Sequence, residues 1–529
     1  LGSLIGVSNA GSTATGSYYY ETVITLKATV NTGYTWSKWE SSNTSMQANI
    51  TGQSGSFTMP AGNITMTPKV TANTYTVNYN GNGATGGTTA SSTHTYDKAQ
   101  NLTLNGYVRQ YTVTFNGNYE GSTSQTAKST YAFKDWNLKN DGTGNAYTNG
   151  QSVTNLTSTN NGTVTLYAMW DNTVSSAKVT LPTLTRANYV FEGWYKEQAT
   201  TTLVGTAGNT YTPSGNITLY AKWSLANYSV TTKNGSYYFK TLAEAVAKAD
   251  SDGSTITILQ TNTDISTVII DKNVTINTNG KTVTRNATIT VNKAKTVTIN
   301  GTGGFTTSAT NTFTLNGGNL TVNDGTIYSS GAVAIGQTGA GTINILGGTI
   351  IGKTAAISSL QAATVNIGNN SNSIVSAEAP VIEATAGYGI NLTGTSSKLN
   401  FNCGVIKGTS KTTYNGIDVA FNVAGSKTYR SGYGAKTTLA NSVYSTILVK
   451  ATIAVNPTQV YLNTTTNKTK VLTITGASLG TLSYSTNDAN IATISNGTIT
   501  ALKQGECTIT EKEANAGLTA TCKVIVDDI

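Results

Sequence analysis

The sequence predicts an all-β, multidomain chain built around a right-handed parallel β-helix. Three observations carry that expectation. A short apolar pattern recurs at almost constant spacing in the middle of the chain, the composition is polar yet low in charge, and an aromatic pattern occurs three times before residue 224.

Val274-Thr-Ile276, Val297-Thr-Ile299, Leu320-Thr-Val322, Ile343-Asn-Ile345 and Val365-Asn-Ile367 begin 23, 23, 23 and 22 positions apart. A second set follows at Val283, Phe305, Ile327, Ile350 and Ile374, and a third at Ile289, Phe313, Val333, Ile357 and Ile382. A fixed period marks units that cannot bury their own apolar face and must stack on the next. Within each strand an inward apolar residue alternates with an outward Thr or Asn, the strand period of two. Asn277, Asn300 and Asn323 follow the first strand in three successive coils, and such side chains can hydrogen-bond along the stack as a structural ladder. The ladder is broken at Leu346 and Gly368. Gly280, Gly301 and Gly325 come next, where the corner needs a permissive backbone. From Gly387 onwards the period drifts, and residues 400–450 read as irregular final coils.

A chain of 529 residues is too long for one core. Only 11% of its residues are charged, yet regular Val/Ile/Thr alternation argues for folded β structure rather than disorder. The net charge of +9 comes from scattered Lys, with Arg only at 109, 186, 285 and 430. Readers of nucleic acid gather Arg and Lys on one face, so no nucleic-acid partner is expected. A mild attraction to acidic polymers such as wall teichoic acids is compatible with the charge. Three cysteines do not make a disulfide scaffold, and no run reaches transmembrane length. The chain opens without Met or a signal-peptide layout, so it reads as a piece of a longer protein.

Taken in order, residues 1–72, 73–170 and 171–223 form three related modules. Tyr34-Thr-Trp36-Ser-Lys-Trp39 returns as Tyr131-Ala-Phe133-Lys-Asp-Trp136 and Tyr189-Val-Phe191-Glu-Gly-Trp194. Each is closed by a later strand, ending at Met66, Trp170 and Trp223. Repetition at one internal position makes Trp39, Trp136 and Trp194 core aromatics rather than sugar platforms. The run Tyr75-Thr-Val-Asn-Tyr-Asn-Gly-Asn-Gly83, with the Tyr189 pattern and Leu219-Tyr-Ala-Lys-Trp223, resembles the Listeria–Bacteroides repeat, the internalin B-type repeat. That resemblance implies small β-grasp-like modules of bacterial surface proteins. The third module lacks the opening strand, and the second carries an extra hairpin around Tyr111-Thr-Val-Thr-Phe-Asn-Gly-Asn118.

Residues 224–450 hold the β-helix. Thr241 and Glu244 fit a capping box that starts a helix over 241–250, with Leu242, Ala245, Val246 and Ala249 on one face. Such a helix covers the solenoid's open end. The layout from Phe239 to Gly280 resembles pectate-lyase-like right-handed β-helices. Residues 451–529 carry short strands with turn signals, a β-sandwich pattern. The run from Tyr484 to Ala501 with the later Gly505-Glu-Cys-Thr-Ile509 resembles the group 2 bacterial immunoglobulin-like domain. The fold expected is therefore β-grasp-like repeats, a right-handed parallel β-helix and an Ig-like β-sandwich.

Lyases on such solenoids need clustered carboxylates for calcium and a basic residue; hydrolases need paired carboxylates. The acids are Asp264, Asp271, Asp324, Glu378, Glu383 and Asp418. Glu378 and Glu383 form the one pair within a coil, and Arg285 and Arg430 have no carboxylate at a repeated offset. His94 stands far off in a repeat module. Cys507 and Cys522 lie on strands expected to be adjacent, where a cross-strand disulfide and two buried thiols are the alternatives. Cys403 reads as a small core residue. No metal-ligand spacing, phosphate loop or nucleophile elbow occurs, so neither cofactor nor metal is expected. The resemblances imply an extracellular bacterial surface adhesin or stalk, whose partners would be surface glycans or proteins of host or bacterium. The alternatives are a polysaccharide lyase or hydrolase on the β-helix and a phage tail fibre or spike.

Overall fold

The computed structural model describes residues 2–5, 15–45, 50–251, 253–369, 379–414, 416–440, 443–450, 452–476, 481–513 and 517–528. The chain divides into two units, Leu1–Leu184 with Phe191–Trp223, and Thr185–Val190 with Ser224–Ile529.

In the first unit, the first module pairs β1 (Val23–Lys27) with β3 (Ser54–Thr58), and β2 (Tyr34–Ser41) with β4 (Met66–Ala72). The rest is built on a large sheet containing β5 (Thr74–Asn80), β6 (Tyr107–Asn116), β7 (Gln125–Asn137), β8 (Gly162–Asp171), β9 (Tyr189–Tyr195) and β10 (Ile217–Leu225), in the order β9-β10-β6-β7-β8-β5, beside two short two-stranded sheets. β5 runs parallel to β8, with Val77 opposite Val164. β6 runs parallel to β10, with Val113 opposite Ile217. The two pairs are equivalent in detail. Asn82 Nδ2 donates to the Ala168 carbonyl at 3.0 Å, and Asn118 Nδ2 to that of Ala221 at 3.1 Å. Trp170 Nε1 donates to the Gly81 carbonyl at 3.0 Å, and Trp223 Nε1 to that of Gly117 at 2.7 Å.

This pairing revises the expected organisation. The hairpin around Tyr111–Asn118 is not surplus to residues 73–170; its first strand is the one that residues 171–223 lack. Val113 and Phe115 complete the core of Val179, Leu181, Trp194, Leu219 and Ala221. Tyr75, Val77 and Tyr79 do the same beside Trp136, Leu166 and Ala168. Antiparallel β7 joins the two, pairing through Tyr131 with β6 and from Ala132 onwards with β8.

In the second unit, three parallel ladders make a β-helix. The first face holds eight parallel strands, from Ser254–Ile258 to Ser426–Tyr429. Ile276, Ile299, Val322, Ile345, Ile367 and Phe401 stand in register on it, all fully buried. The second face aligns Val283, Phe305, Ile327, Ile350, Ile382 and Ile406. The third aligns Ile289, Phe313, Ile335, Ile357 and Ile390. Two positions differ from expectation. Ile335, not Val333, continues the third face, because that strand buries Ala334 and Ile335 together. Ile382 lies on the second face, because one coil is longer: Val365 and Leu399 are partners 34 positions apart. The drift therefore begins before residue 381, and Ile390–Leu392 is regular. Ile374 lies outside the described residues.

Both ends of the stack switch to antiparallel pairing. At the start, β11 (Tyr228–Thr232) pairs with β12 (Gly235–Phe239) and with Ser254–Ile258. Helix α1 (Leu242–Lys248) then places Leu242, Ala245 and Val246 against the first coil. The capping box is formed: Thr241 Oγ1 accepts from the Glu244 N–H, and Glu244 Oε2 from the Thr241 N–H. Lys272 Nζ donates to the Ala247 and Ala249 carbonyls at 2.9 and 2.8 Å, closing the helix from the next coil. At the far end Val443–Lys450 pairs antiparallel with Val405–Gly408 and with Tyr433–Ala440. The corners require glycine: Gly325 has φ +96°, and a Cβ there would stand 2.4 Å from the Gly303 carbonyl oxygen.

Residues 452–528 form a β-sandwich. One sheet orders Gln459–Leu462, Thr519–Val526, Gly505–Glu513 and Leu482–Thr486; another orders Thr469–Val471, Thr498–Ala501 and Ala492–Ser495. Val460, Cys507, Ile509 and Val524 of the first meet Ile499, Ala501 and Ala492 of the second in one core.

The shared strand predicts where damage appears. Phe115 is buried 4.9 Å from Trp194, centroid to centroid. Phe115→Ala should cost about 3–5 kcal/mol. Amide exchange should speed up more at Leu219 and Ala221 than at Leu166 and Ala168. Equal loss at both pairs would contradict the assignment of β6 to the third module.

Candidate functional site

The ionisable candidates do not converge on one place. Asp264 and Arg285 are buried and face each other at 3.6 Å across adjacent coils. Arg285 thus has a carboxylate partner, one that no repeated offset in the sequence supplies. Asp264 accepts the Leu242 N–H at 2.6 Å and the Ser266 hydroxyl and N–H at 2.6 and 2.9 Å. Arg285 donates to the Ser266 and Ala287 carbonyls. Burial pushes the Asp264 carboxyl up, but the donors from Ser266 and Leu242 outweigh it and hold it below the usual range. The pair ties α1 to the first coils. Glu383 lies 3.5 Å from Lys407, and Asp418 2.6 Å from Lys411. Asp324 accepts the N–H of Gly325. Glu378 lies outside the described residues.

The repeated aromatics are interior. Trp39, Trp136 and Trp194 are at most 2% exposed. Each meets the aromatic three residues earlier edge-on, with centroids 5.4, 5.0 and 5.4 Å apart for Trp36, Phe133 and Phe191. On a regular strand, residues three apart point to opposite faces. A register shift after Trp36 and after Phe133 inserts the extra residue that brings each pair to one side. His94 is equally enclosed, stacked on Tyr75 and bonded through Nε2 to Ser92 Oγ at 2.9 Å. Burial lowers its pKa and keeps it neutral.

Cys507 and Cys522 sit on paired strands, but each faces an apolar residue: Cys507 opposite Val524, and Cys522 opposite Ile509. Both are buried free thiols, as is Cys403. Burial pushes the Cys507 and Cys522 thiols up, which disfavours the reactive thiolate.

The asparagines hold coil to coil along more than one column, and on the third face Asn422 Nδ2 donates to Asn391 Oδ1 at 3.0 Å. In the column of Asn277, Asn300 and Asn323, only Asn323 Nδ2 reaches its neighbour, Asn300 Oδ1, at 2.7 Å; Asn277 Oδ1 instead accepts the Asn279 N–H. The longer ladder lies two residues earlier in the strand. Asn344 donates to Thr321, Asn366 to Asn344 at 2.7 Å, Asn400 to Asn366 at 2.6 Å, and Thr428 to Asn400 at 2.6 Å. These are the outward residues of the Val-Thr-Ile and Ile-Asn-Ile triplets, so the signal was present but unread.

Two buried acids on one strand, Glu511 and Glu513, are absent from the sequence-based candidates. Glu511 follows Cys507 and Ile509 at the inward positions of its strand, is 1% exposed, and neither carboxylate oxygen has a hydrogen-bond partner among the described residues. Burial pushes its carboxyl up. A charged residue at an apolar alternation position was the available sign.

Two outcomes follow from these acids. Arg285→Met leaves Asp264 buried and unpaired and should cost about 3–5 kcal/mol. Because the Asp264 carboxyl is depressed in the fold, its contribution is complete above about pH 4, its unfolded value, and is lost as pH falls through the folded value. Amide exchange at Leu242 should therefore accelerate in acid; a pH-independent rate of opening would refute the role. Glu511 has the opposite sign, its raised carboxyl destabilising the sandwich as pH climbs through the folded value. Glu511→Leu should stabilise the sandwich by about 1–3 kcal/mol at pH 8 and by less at pH 4 in paired melts.

Comparison with known families gives two matches, both in the first unit. Residues 4–74 match the divergent InlB B-repeat domain, and residues 158–222 match the Listeria-Bacteroides repeat domain. No curated protein matches the chain. Among the described residues no helix is long and apolar enough to cross a membrane. Repeats of the matched kinds are typical of bacterial surface proteins, and over these two stretches the chain is similar to them.

Proposed function

We propose that this chain is an extracellular segment of a bacterial surface protein, an adhesin or stalk whose work is structural and binding rather than catalytic. One observation carries the reading: among the described residues, Asp264, Arg285, Glu383 and Asp418 already have structural work. Asp264 and Arg285 lock the first coils to α1, Glu383 and Asp418 pair with lysines, and the outward asparagines bond coil to coil. A site for sugar cleavage needs carboxylates converging on one bond. The matched repeats support a surface location, and the Ig-like sandwich fits the same kind of protein as a spacer.

The test uses the whole chain. Labelled protein is applied to glycan arrays, matrix proteins and bacterial and animal cells, and separately incubated with pectin and alginate. Saturable binding to at least one surface, with no unsaturated or reducing ends released, is the expected result. Release of such ends would move the function to a carbohydrate-active enzyme.

A further inference from the structure

The large sheet of the first unit is threaded so that its own chain loads it along the strands. β5 and β8 run the same way, β7 runs against both β8 and β6, and β10 runs with β6. The chain therefore enters this sheet at Thr74, at one end of the strands, and leaves it at Leu225, at the opposite end. A pull through those two points lies parallel to the strands. It puts the ladder bonds of β5 with β8, and of β6 with β10, under shear together. Entry and exit at the same end would instead let the bonds open one after another. Forced failure is governed by the unfolding rate, and a barrier of many bonds that must break together is crossed slowly.

Side chains span both pairs. Asn82 Nδ2 donates to the Ala168 carbonyl and Trp170 Nε1 to that of Gly81, across β5 and β8. Asn118 and Trp223 make the same two ties across β6 and β10. Neither strand of a pair can slide past the other without breaking them. The point of entry is fastened as well. Asn73, between β4 and β5, is buried and uses all its polar groups. Its N–H donates to the Gly33 carbonyl at 2.9 Å, and its carbonyl accepts the Tyr96 N–H at 2.8 Å. Its Oδ1 accepts the Thr35 hydroxyl at 2.5 Å, and its Nδ2 donates to the Ser158 carbonyl at 2.7 Å. Gly33 and Thr35 belong to the first module, and Ser158 lies just ahead of β8. Tension arriving from the first module thus meets β5 and β8 together, with no slack linker between.

Closing the cores of Trp136 and Trp194 explains why each opening strand pairs with its closing strand. It requires neither an anchored entry nor entry and exit at opposite ends. We propose that this sheet bears tension as two shear clamps in series, β5 with β8 and β6 with β10, the first to yield handing the load to the second. Register sets the order. β6 and β10 share four aligned residue pairs and β5 and β8 share six, so β10 leaves first. β6 stays on β7, inside the second module. The pull then falls on Thr74 and Asp171, the start of β5 and the end of β8, again at opposite ends of parallel strands. This rests on the stalk reading for its use, because a surface segment that binds is stretched whenever the two surfaces part.

The intact chain is held by tags at its two termini and stretched at constant speed. Coils of the β-helix, each held only by its neighbours, should come off in small steps at low force. The large sheet should give two events at higher force, the first releasing residues 172–225 and the second residues 74–171, roughly twice as many. At about 3.3 Å per residue the two together amount to roughly 50 nm. Asn82 and Asn118 stand at φ +44° and +58°, so glycine keeps the backbone and removes only the tie. Asn118→Gly should make the first event alone, and Asn82→Gly the second alone, about fivefold faster at matched force. Failure of the sheet below the force that strips the coils, a single event for residues 74–225, or a variant that shifts both events alike would each overturn the proposal. Two such events in a chain that attaches to no glycan, matrix or cell would keep the clamps and remove the surface role. Attachment by a chain whose sheet fails at low force would do the reverse.

Discussion

Coil-to-coil register is the constraint on which the second unit depends. Ile276, Ile299, Val322, Ile345, Ile367 and Phe401 occupy one column because each strand hydrogen-bonds in parallel to the next. Side chains alternate with a period of two, so a slip of one residue anywhere would send Thr or Asn inward and Ile to solvent. The arrangement tolerates extra length only between strands, and the long coil between Val365 and Leu399 places it there. A stack of this kind has two raw ends, where apolar rings and unpaired strands would face water. Antiparallel hairpins close the ladder at both, and α1 adds an apolar lid at the first, secured by the buried Asp264–Arg285 pair.

The same register explains why so little of the surface is charged. In-register parallel strands put equivalent side chains about 4.8 Å apart in successive coils. A charge repeated at that spacing would meet its own kind at a cost of about 1 kcal/mol per neighbouring pair even in water. Asn and Thr avoid this, because each can donate to one neighbour and accept from the other, as Asn366 does between Asn344 and Asn400. Against this background the lysines of the last coils are an exception. Lys398 and Lys407 still lie on laddered strands, but their partners there, Thr364, Ser426 and Glu383, repeat no positive charge.

The first unit achieves cooperation differently, by lending a strand across modules. β6 lies in the chain within the second module but completes the core around Trp194, while β7 binds it to the second module's own sheet. Neither core is contiguous in sequence. A family match over residues 158–222 accordingly spans the closing strand of one module and most of the next without reaching β6.

What could be read directly from sequence was whatever repeats locally. The 23-residue spacing located the first face, the capping box located α1, and the Tyr-x-aromatic-x-x-Trp motif located three cores. What could not be read was decided by partners far away or occurring once. The role of β6 depends on pairing with residues more than 100 positions later, and one tyrosine-led strand looks like another until its partner is known. Arg285 and Asp264 form a single fastening at one end of the stack, so no periodic search would find them. The asparagine ladder was legible only in part: the column of Asn277, Asn300 and Asn323 forms one rung, whereas the longer column mixes Thr321 with Asn344, Asn366, Asn400 and Thr428. Hydrogen-bonding capacity at an aligned position, rather than identity of residue, is what a stack selects. Thr and Asn are interchangeable rungs by that measure, so the column that binds the coils together is the one whose letters vary.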